Sequence, residues 1–285
     1  MITLIADSNA LREPSLQAYL AHSRDHAIAL SDLALIEMRK TNALATARQS
    51  LRIADAYASQ VFVLRQTDEL LAEVITTADQ AVRLIDFEGS IALGHQARRL
   101  HAIPPPATLA EEMAALEADA KLVIARLTDE AAAFEPTLFD VVKDFSQAEL
   151  TQLRTGQDVT DATRQKLHDL LKETIGLFIL RNQEPGRRAP MRFSKAMAMF
   201  AGRYSLCMLL FYLEWVRTGR SQKRLDRRVN DIVDMQTAAV ATYFNGVLSA
   251  DATLQRVSQA ARRILRSYGV FVGQDWQPEV KRITI

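Results

Sequence analysis

The chain has 285 residues, 48% of them hydrophobic and 24% charged, with a formal net charge of +1. That length can bury a substantial core, in one elaborated domain or two smaller ones. A balance so near neutrality excludes a polyanion binder that works through its whole surface, so any affinity for nucleic acid has to come from a local patch.

Residues 2–6 are a continuous apolar run rich in β-branched side chains, which reads as a strand covered on both faces, and the run stops at Asp7. Residues 14–22 read as a helix. A second short strand over 27–30 ends at Ser31 and Asp32, either of which can cap the helix that follows. That helix carries Leu33, Ile36, Glu37 and Lys40, so Glu37 falls in its first turns, close to the strand end. Residues 61–64 make a third strand. From 67 to 224 the pattern changes to Ala-, Leu- and Glu-rich stretches at helical period, with no strand. Pro104, Pro105 and Pro106 interrupt this block, Thr155 and Gly156 interrupt it again, and a polar loop over 182–190 precedes one long helix over 191–217.

The α/β pattern then resumes. A helix over 226–244 stops at Asn245 and Gly246, a fourth strand over 247–249 leads to Asp251, and a helix over 254–267 leads to a fifth strand over 269–272. Strands alternating with helices argue for one parallel sheet carrying a large helical insertion. No internal repeat is present.

The most apolar stretch, 204–213, is about half of the roughly 20 residues that span a bilayer. It reads as a core or interface helix, with no membrane partner, and it admits a homodimer through the helical insertion. Cys207 lies in it, reads as buried and inert, and as the sole cysteine has no partner for an internal disulfide. A reducing cytoplasmic setting fits, and no secretion signal is evident at the amino terminus. His22 and His26 read as surface residues, because no third ligand is placed to complete a zinc site. A phosphate-binding loop ending in Lys-Ser or Lys-Thr, a dinucleotide fingerprint and a Gly-x-Ser-x-Gly elbow are all missing, which argues against nucleotide-driven motors, dehydrogenases and serine hydrolases.

The acidic residues carry the most information. Asp7 and Asp251 each follow a strand, Glu37 follows another, and Asp231 and Asp234 share one face of the helix before Asp251. Carboxylates at the carboxyl ends of parallel strands stand where open α/β sheets bind ligands. Several together repel one another, and Mg²⁺ or Mn²⁺ relieves that repulsion while polarising a phosphate. Structural roles are open to the same residues: Asp7 can cap the next turn, Glu37 can pair with Lys40 or Arg39, and Asp251 can cap the helix starting near Ala252.

In this order and spacing the chain resembles the PIN-like nuclease superfamily. The resemblance lies in Asp7-x-Asn9, Glu37, an Asp in the penultimate core helix and Ser249-x-Asp251. It covers roughly 1–65 and 225–273 and leaves the helical block uncovered. It implies an α/β fold, a three-layer α/β/α sandwich with a central parallel sheet and a large all-helical insertion. The domain reading is a discontinuous nuclease core over 1–65 and 225–285, with 66–224 as the insertion. The resemblance further implies a metal-dependent endoribonuclease acting on single-stranded RNA, in a toxin or defence role. Asp7, Glu37, Asp234 and Asp251 would ligate Mg²⁺ or Mn²⁺, Asp231 is the second candidate for the third ligand, and Asn9 and Ser249 would position neighbouring groups or water.

Arg220, Lys223, Arg224, Arg227 and Arg228 precede the acidic helix, and with Arg187, Arg188 and Arg192 they could guide a phosphate backbone or form a solvated face. Trp215, Tyr212 and Phe211 read as core or subunit interface rather than base-stacking residues. A structure-specific DNase and a non-catalytic nucleic-acid- or protein-binding module on the same scaffold are the alternatives.

Overall fold

The apolar run after Met1 forms β1 (Ile2–Ala6), which pairs in parallel with β2 (His26–Leu30), Ile2 opposite His26 through Ile5 opposite Ala29. In this computed structural model residues 1–155, 159–181, 192–218 and 225–276 are described, without the side chains of 133–142, 179–181, 218 and 225–227. β3 (Val61–Leu64) adds in parallel to β2, and β4 (Ile85–Asp86) closes that side antiparallel to β3. On the other side, β5 (Val247–Leu248) runs parallel to β1, with Ile5 opposite Val247 and Ala6 opposite Leu248. The order β4-β3-β2-β1-β5 makes a mixed α/β fold around a five-stranded, mostly parallel sheet.

Alternate strand residues enter two different cores. Leu4, Ala6, Ile28, Leu30, Val61 and Val63 pack on one face, while Ile5, Ala29 and Leu64 pack on the other. Side chains of successive strand residues point to opposite faces, so the unbroken apolar runs reflect a sheet covered on both sides. The first face carries α1 (Pro14–His22), α2 (Asp32–Arg39), α3 (Ala43–Ser50), α4 (Arg52–Ala56), α7 (Phe87–His101) and the start of α8 (Leu109–Lys143). The short helices α5 (Thr67–Leu70) and α6 (Ala78–Ala81) lie in chain order between β3 and β4. They supply Leu70 and Ala81 to the second face, together with α10 (Asp161–Arg181), α11 (Phe193–Ala198), α12 (Phe200–Thr218), α13 (Leu225–Ala241) and α14 (Ala252–Ser267). α9 (Gln147–Thr155) packs on α12. Each fully buried Leu or Ile contributes about 1.5–3 kcal/mol.

Several expectations need correction. β4 lies inside the stretch expected to hold no strand; it is two residues long, too short for a periodic signal. The helix expected over 191–217 is two helices, because Met199 leaves helical geometry to bridge Val74. Around this break the Phe200 N–H donates to the Glu73 carbonyl and the Ile75 N–H to that of Ala198. Gly202 permits the bend, since a β-carbon there would collide with the Ala196 carbonyl oxygen. His26 is buried, stacked between Tyr19 and His22 with Trp276 edge-on, and its Nδ1 bonds the Tyr19 carbonyl at 2.8 Å.

Residues 269–272 are not a strand. Their polar groups are met by side chains and turns: Arg203 donates to the Phe271 carbonyl at 2.6 Å, and the Val270 N–H reaches the Leu265 carbonyl. Arg262 donates to the carbonyls of Ala241, Phe244 and Gly273 and pairs with Asp275 at 2.6 Å. The buried Arg203 also lies over the Tyr243 ring, 3.6 Å from its centre.

The apolar residues of α12 find partners within the chain: Leu206, Cys207, Phe211 and Tyr212 are buried, and Trp215 packs against the same core. Burial pushes the Cys207 thiol far above its ordinary range, as an inert core thiol requires. Among the described residues no helix is long and apolar enough to cross a membrane. The expected loop 182–190, with Arg187 and Arg188, lies outside the described residues, as do Gly156, Arg220, Lys223 and Arg224.

Candidate functional site

The adjacency of β1 and β5 brings the two strand-terminal acids to the same edge of the sheet. The Asp7 N–H donates to the Leu248 carbonyl at 3.1 Å, extending the pairing one residue past β1. Asp7 then opens a short 3₁₀ turn over Ser8–Arg12, but its carboxylate makes no cap bond there. Instead the Ser249 hydroxyl donates to Asp7 Oδ2 at 3.0 Å, while Ser249 Oγ accepts the Asp251 N–H at 3.0 Å. One hydroxyl thus links the ends of two neighbouring strands. Asp7 and Ser249 are both buried.

Glu37 reaches the same edge from α2, whose start is fixed by Ser31, its hydroxyl accepting from the Ala34 N–H. The Ser8 hydroxyl donates to Glu37 Oε2 at 2.7 Å and also stands 3.4 Å from Asp7 Oδ1. A hydroxyl has one proton, so the shorter contact holds it. Lys40 lies 3.5 Å from Glu37 Oε1. Asp251 Oδ1 accepts the N–H groups of Thr253 and Leu254, at 2.6 and 2.9 Å, and so caps α14. The carboxylate is otherwise exposed, so capping commits one of its two oxygens.

α13 supplies the remaining acids. A small core of Leu33, Leu127, Ala131, Val229, Ile232 and Val233 seats the first half of this helix against α2 and α8. Asp231 is buried and Asp234 partly so. The Asp234 carboxyl is pushed up to about 8, first by desolvation and then by the charges of Asp7, Asp251, Asp231 and Glu37. The other four predicted acids therefore lie within electrostatic reach of the Asp234 carboxyl.

Sequence reasoning missed what holds α13 in register. The Thr67 N–H and hydroxyl both donate to Asp32, which also accepts from Gln236 Nε2 at 2.9 Å. Gln236 is buried and its amide also meets the Thr67 hydroxyl, while its Oε1 has no partner among the described residues. The signal was present as a lone amide within the small and apolar run that follows Asp234. Asp32 is thus not the helix cap, which is Ser31, but the acceptor that ties α2, α5 and α13 together.

Asn9 is exposed and lines a cavity of about 240 Å³ beside Ser8 and Glu37. Of the predicted basic group, Arg228 is partly buried in α13, the side chain of Arg227 lies outside the described residues, and the other three residues lie outside them altogether. Arg192 is exposed just before α11.

An oxygen-only, partly buried acidic donor set is the kind that takes a hard divalent cation. Burial first, and then the charges of the neighbouring acids, raise the Asp234 carboxyl. Among the described residues, however, no three His, Cys, Asp or Glu side chains are gathered closely enough to hold an ion. The donors suit Mg²⁺ or Mn²⁺ in kind, while their side chains are spread along the edge rather than drawn to one point. No family model, curated protein or solved structure matches the chain.

Proposed function

We propose that the chain is a PIN-like, divalent-metal-dependent nuclease that hydrolyses single-stranded RNA. The observation carrying this reading is the β1–β5 adjacency, which sets Asp7 beside Ser249 and Asp251 with Glu37 and Asp234 within electrostatic range. Asp7, Glu37, Asp234 and Asp251 would hold Mg²⁺ or Mn²⁺, with Asp231 supporting Asp234. When bound, such a cation neutralises phosphate oxygens and lowers the pKa of a water that attacks phosphorus. Ser249 fixes the Asp7 carboxylate by its hydroxyl, Ser8 fixes Glu37, and Asp251 keeps one oxygen free while the other caps α14. The helical block over 66–224 covers both faces of the sheet in this reading and supplies selection or a lid.

The test is cleavage of single-stranded RNA and DNA by the purified protein with Mn²⁺, Mg²⁺ or EDTA. Asp7→Asn and Asp251→Asn should abolish metal-dependent cleavage while leaving the fold intact, because the amide retains an oxygen, at position 251 for the α14 cap and at position 7 to accept from Ser249. Retained cleavage in both variants would refute the assignment, and preference for DNA would move it to a DNase. The scattered side chains favour one second reading, a nucleic-acid-binding module without chemistry, which predicts binding but no cleavage with any ion.

A further inference from the structure

Beside the acidic edge the surface changes sign. The cavity that Ser8, Asn9 and Glu37 line is lined also by Arg12 and Lys40, with the hydroxyl residues Thr41 and Thr46. Arg12 also lines a second cavity of about 270 Å³, which adds Gln49 and Arg52. Arg12 lines both cavities, so the two adjoin at that residue, and we call the surface from Glu37 through Lys40 and Arg12 to Arg52 the trough.

Its cations are available. The Arg12 Nε donates to the Ser50 hydroxyl at 3.0 Å, which fixes the guanidinium, and Arg12 has no ion pair among the described residues. Arg52 is exposed on the first turn of α4 and has no hydrogen bond or ion pair among the described residues. Lys40 makes only the long 3.5 Å contact with Glu37. Guanidinium groups with hydroxyl and amide donors are the set that recognises phosphate oxygens. The two cavities are lined by no aromatic residue, so there is no surface on which bases could stack.

We propose that the trough from Glu37 past Lys40 and Arg12 to Arg52 binds the phosphodiester backbone of a single-stranded nucleic acid and holds successive phosphates without reading bases. That the strand so held is the one cleaved at the carboxylates rests on the nuclease reading; the binding itself does not. This patch is separate in sequence from the basic segment before α13.

The experiment is fluorescence anisotropy of labelled single-stranded RNA and DNA homopolymers with the full chain in EDTA, where no cleavage interferes. The variants are Arg12→Ala, Arg52→Glu and the double variant, with Arg164→Glu on α10 as a control matched in charge change to Arg52→Glu. Arg52→Glu alters an exposed side chain bonded to nothing, so its fold is secure, and circular dichroism checks the others. Each trough variant should bind about 3–10-fold more weakly, equally for different bases. The double variant should lower the slope of log affinity on log salt by about 1.4, at roughly 0.7 for each phosphate left without its arginine. Arg164→Glu should bind as the unaltered chain does.

Unchanged affinity in Arg52→Glu and the double variant, an equal loss in Arg164→Glu, a strong base preference, or no binding by the unaltered chain would each overturn the trough. The cleavage assay separates the two claims. Trough-dependent binding without metal-dependent cleavage keeps the trough and ends the nuclease reading. Cleavage with KM unchanged in the double variant does the reverse.

Discussion

Replacing Asp234 by Asn should stabilise the metal-free protein, and more so as pH rises. An unfolded Asp titrates near 3.9, and the folded carboxyl is held at about 8 by burial and by Asp7, Asp251, Asp231 and Glu37. The folded state therefore binds more protons than the unfolded state between these values, and stability must fall as pH climbs from about 4 to about 8. A shift of about four units corresponds to roughly 5–6 kcal/mol as an upper bound. Partial exposure of Asp234 and relaxation around it reduce that to about 2 kcal/mol. Asn cannot ionise, so Asp234→Asn escapes this penalty. Thermal unfolding in EDTA from pH 4.5 to 8.5 should show equal stability at the acidic end and a variant melting higher by about 4 °C at the basic end. A variant that melts with or below the unaltered chain at pH 8.5 would mean that the acids are not crowded, and the electrostatic case for one shared site would fail with it.

Ser249→Ala removes the hydroxyl that orients Asp7 and should lower kcat about tenfold with KM and melting temperature little changed; equal kcat would show that Asp7 needs no such support. Gln236→Leu breaks the tie to Asp32 and Thr67 and should cost about 1–2 kcal/mol in chemical denaturation, a loss absent if that network is incidental. Arg262→Ala removes a donor from three carbonyls, leaving that of Phe244 without one among the described residues, and should cost about 2–3 kcal/mol, with Arg262→Lys recovering part; a melting point within one degree of the unaltered chain would contradict the clamp.

The strands were legible where the sheet is buried on both faces. Residues 27–30 and 61–64 are uninterrupted apolar runs, and 2–6 is interrupted only by the buried Thr3, because both cores draw on them. The same criterion failed at 269–272, which is equally apolar. Whether such a run pairs depends on a neighbouring strand with free backbone groups, and here Arg203, from a distance in sequence, and the Leu265 carbonyl take that place. Conversely, β4 is invisible because two residues have no period, and its pairing is decided by the position of β3. The break at Met199 has the same origin, since its partner Val74 lies on a remote segment.

Within the site, the acids could be chosen from sequence because each follows a strand or shares a helix face with another. Their supports could not. Ser249 acts through a hydroxyl aimed across strands and Ser8 through one aimed at α2, and Asp32, Thr67 and Gln236 meet only once α5 and α13 have closed on α2. Arg12 and Arg52 lie on different elements and share a trough only through the packing of α3 and α4 against the turn after β1. A charged residue announces chemistry by type, whereas its orientation is set by partners that folding alone assembles. Three of the carboxylates already have such partners: Ser249 holds Asp7, Ser8 and Lys40 hold Glu37, and the α14 amides hold Asp251. Gathering them around a cation has to compete with those bonds, and that competition sets how tightly any cation can be held.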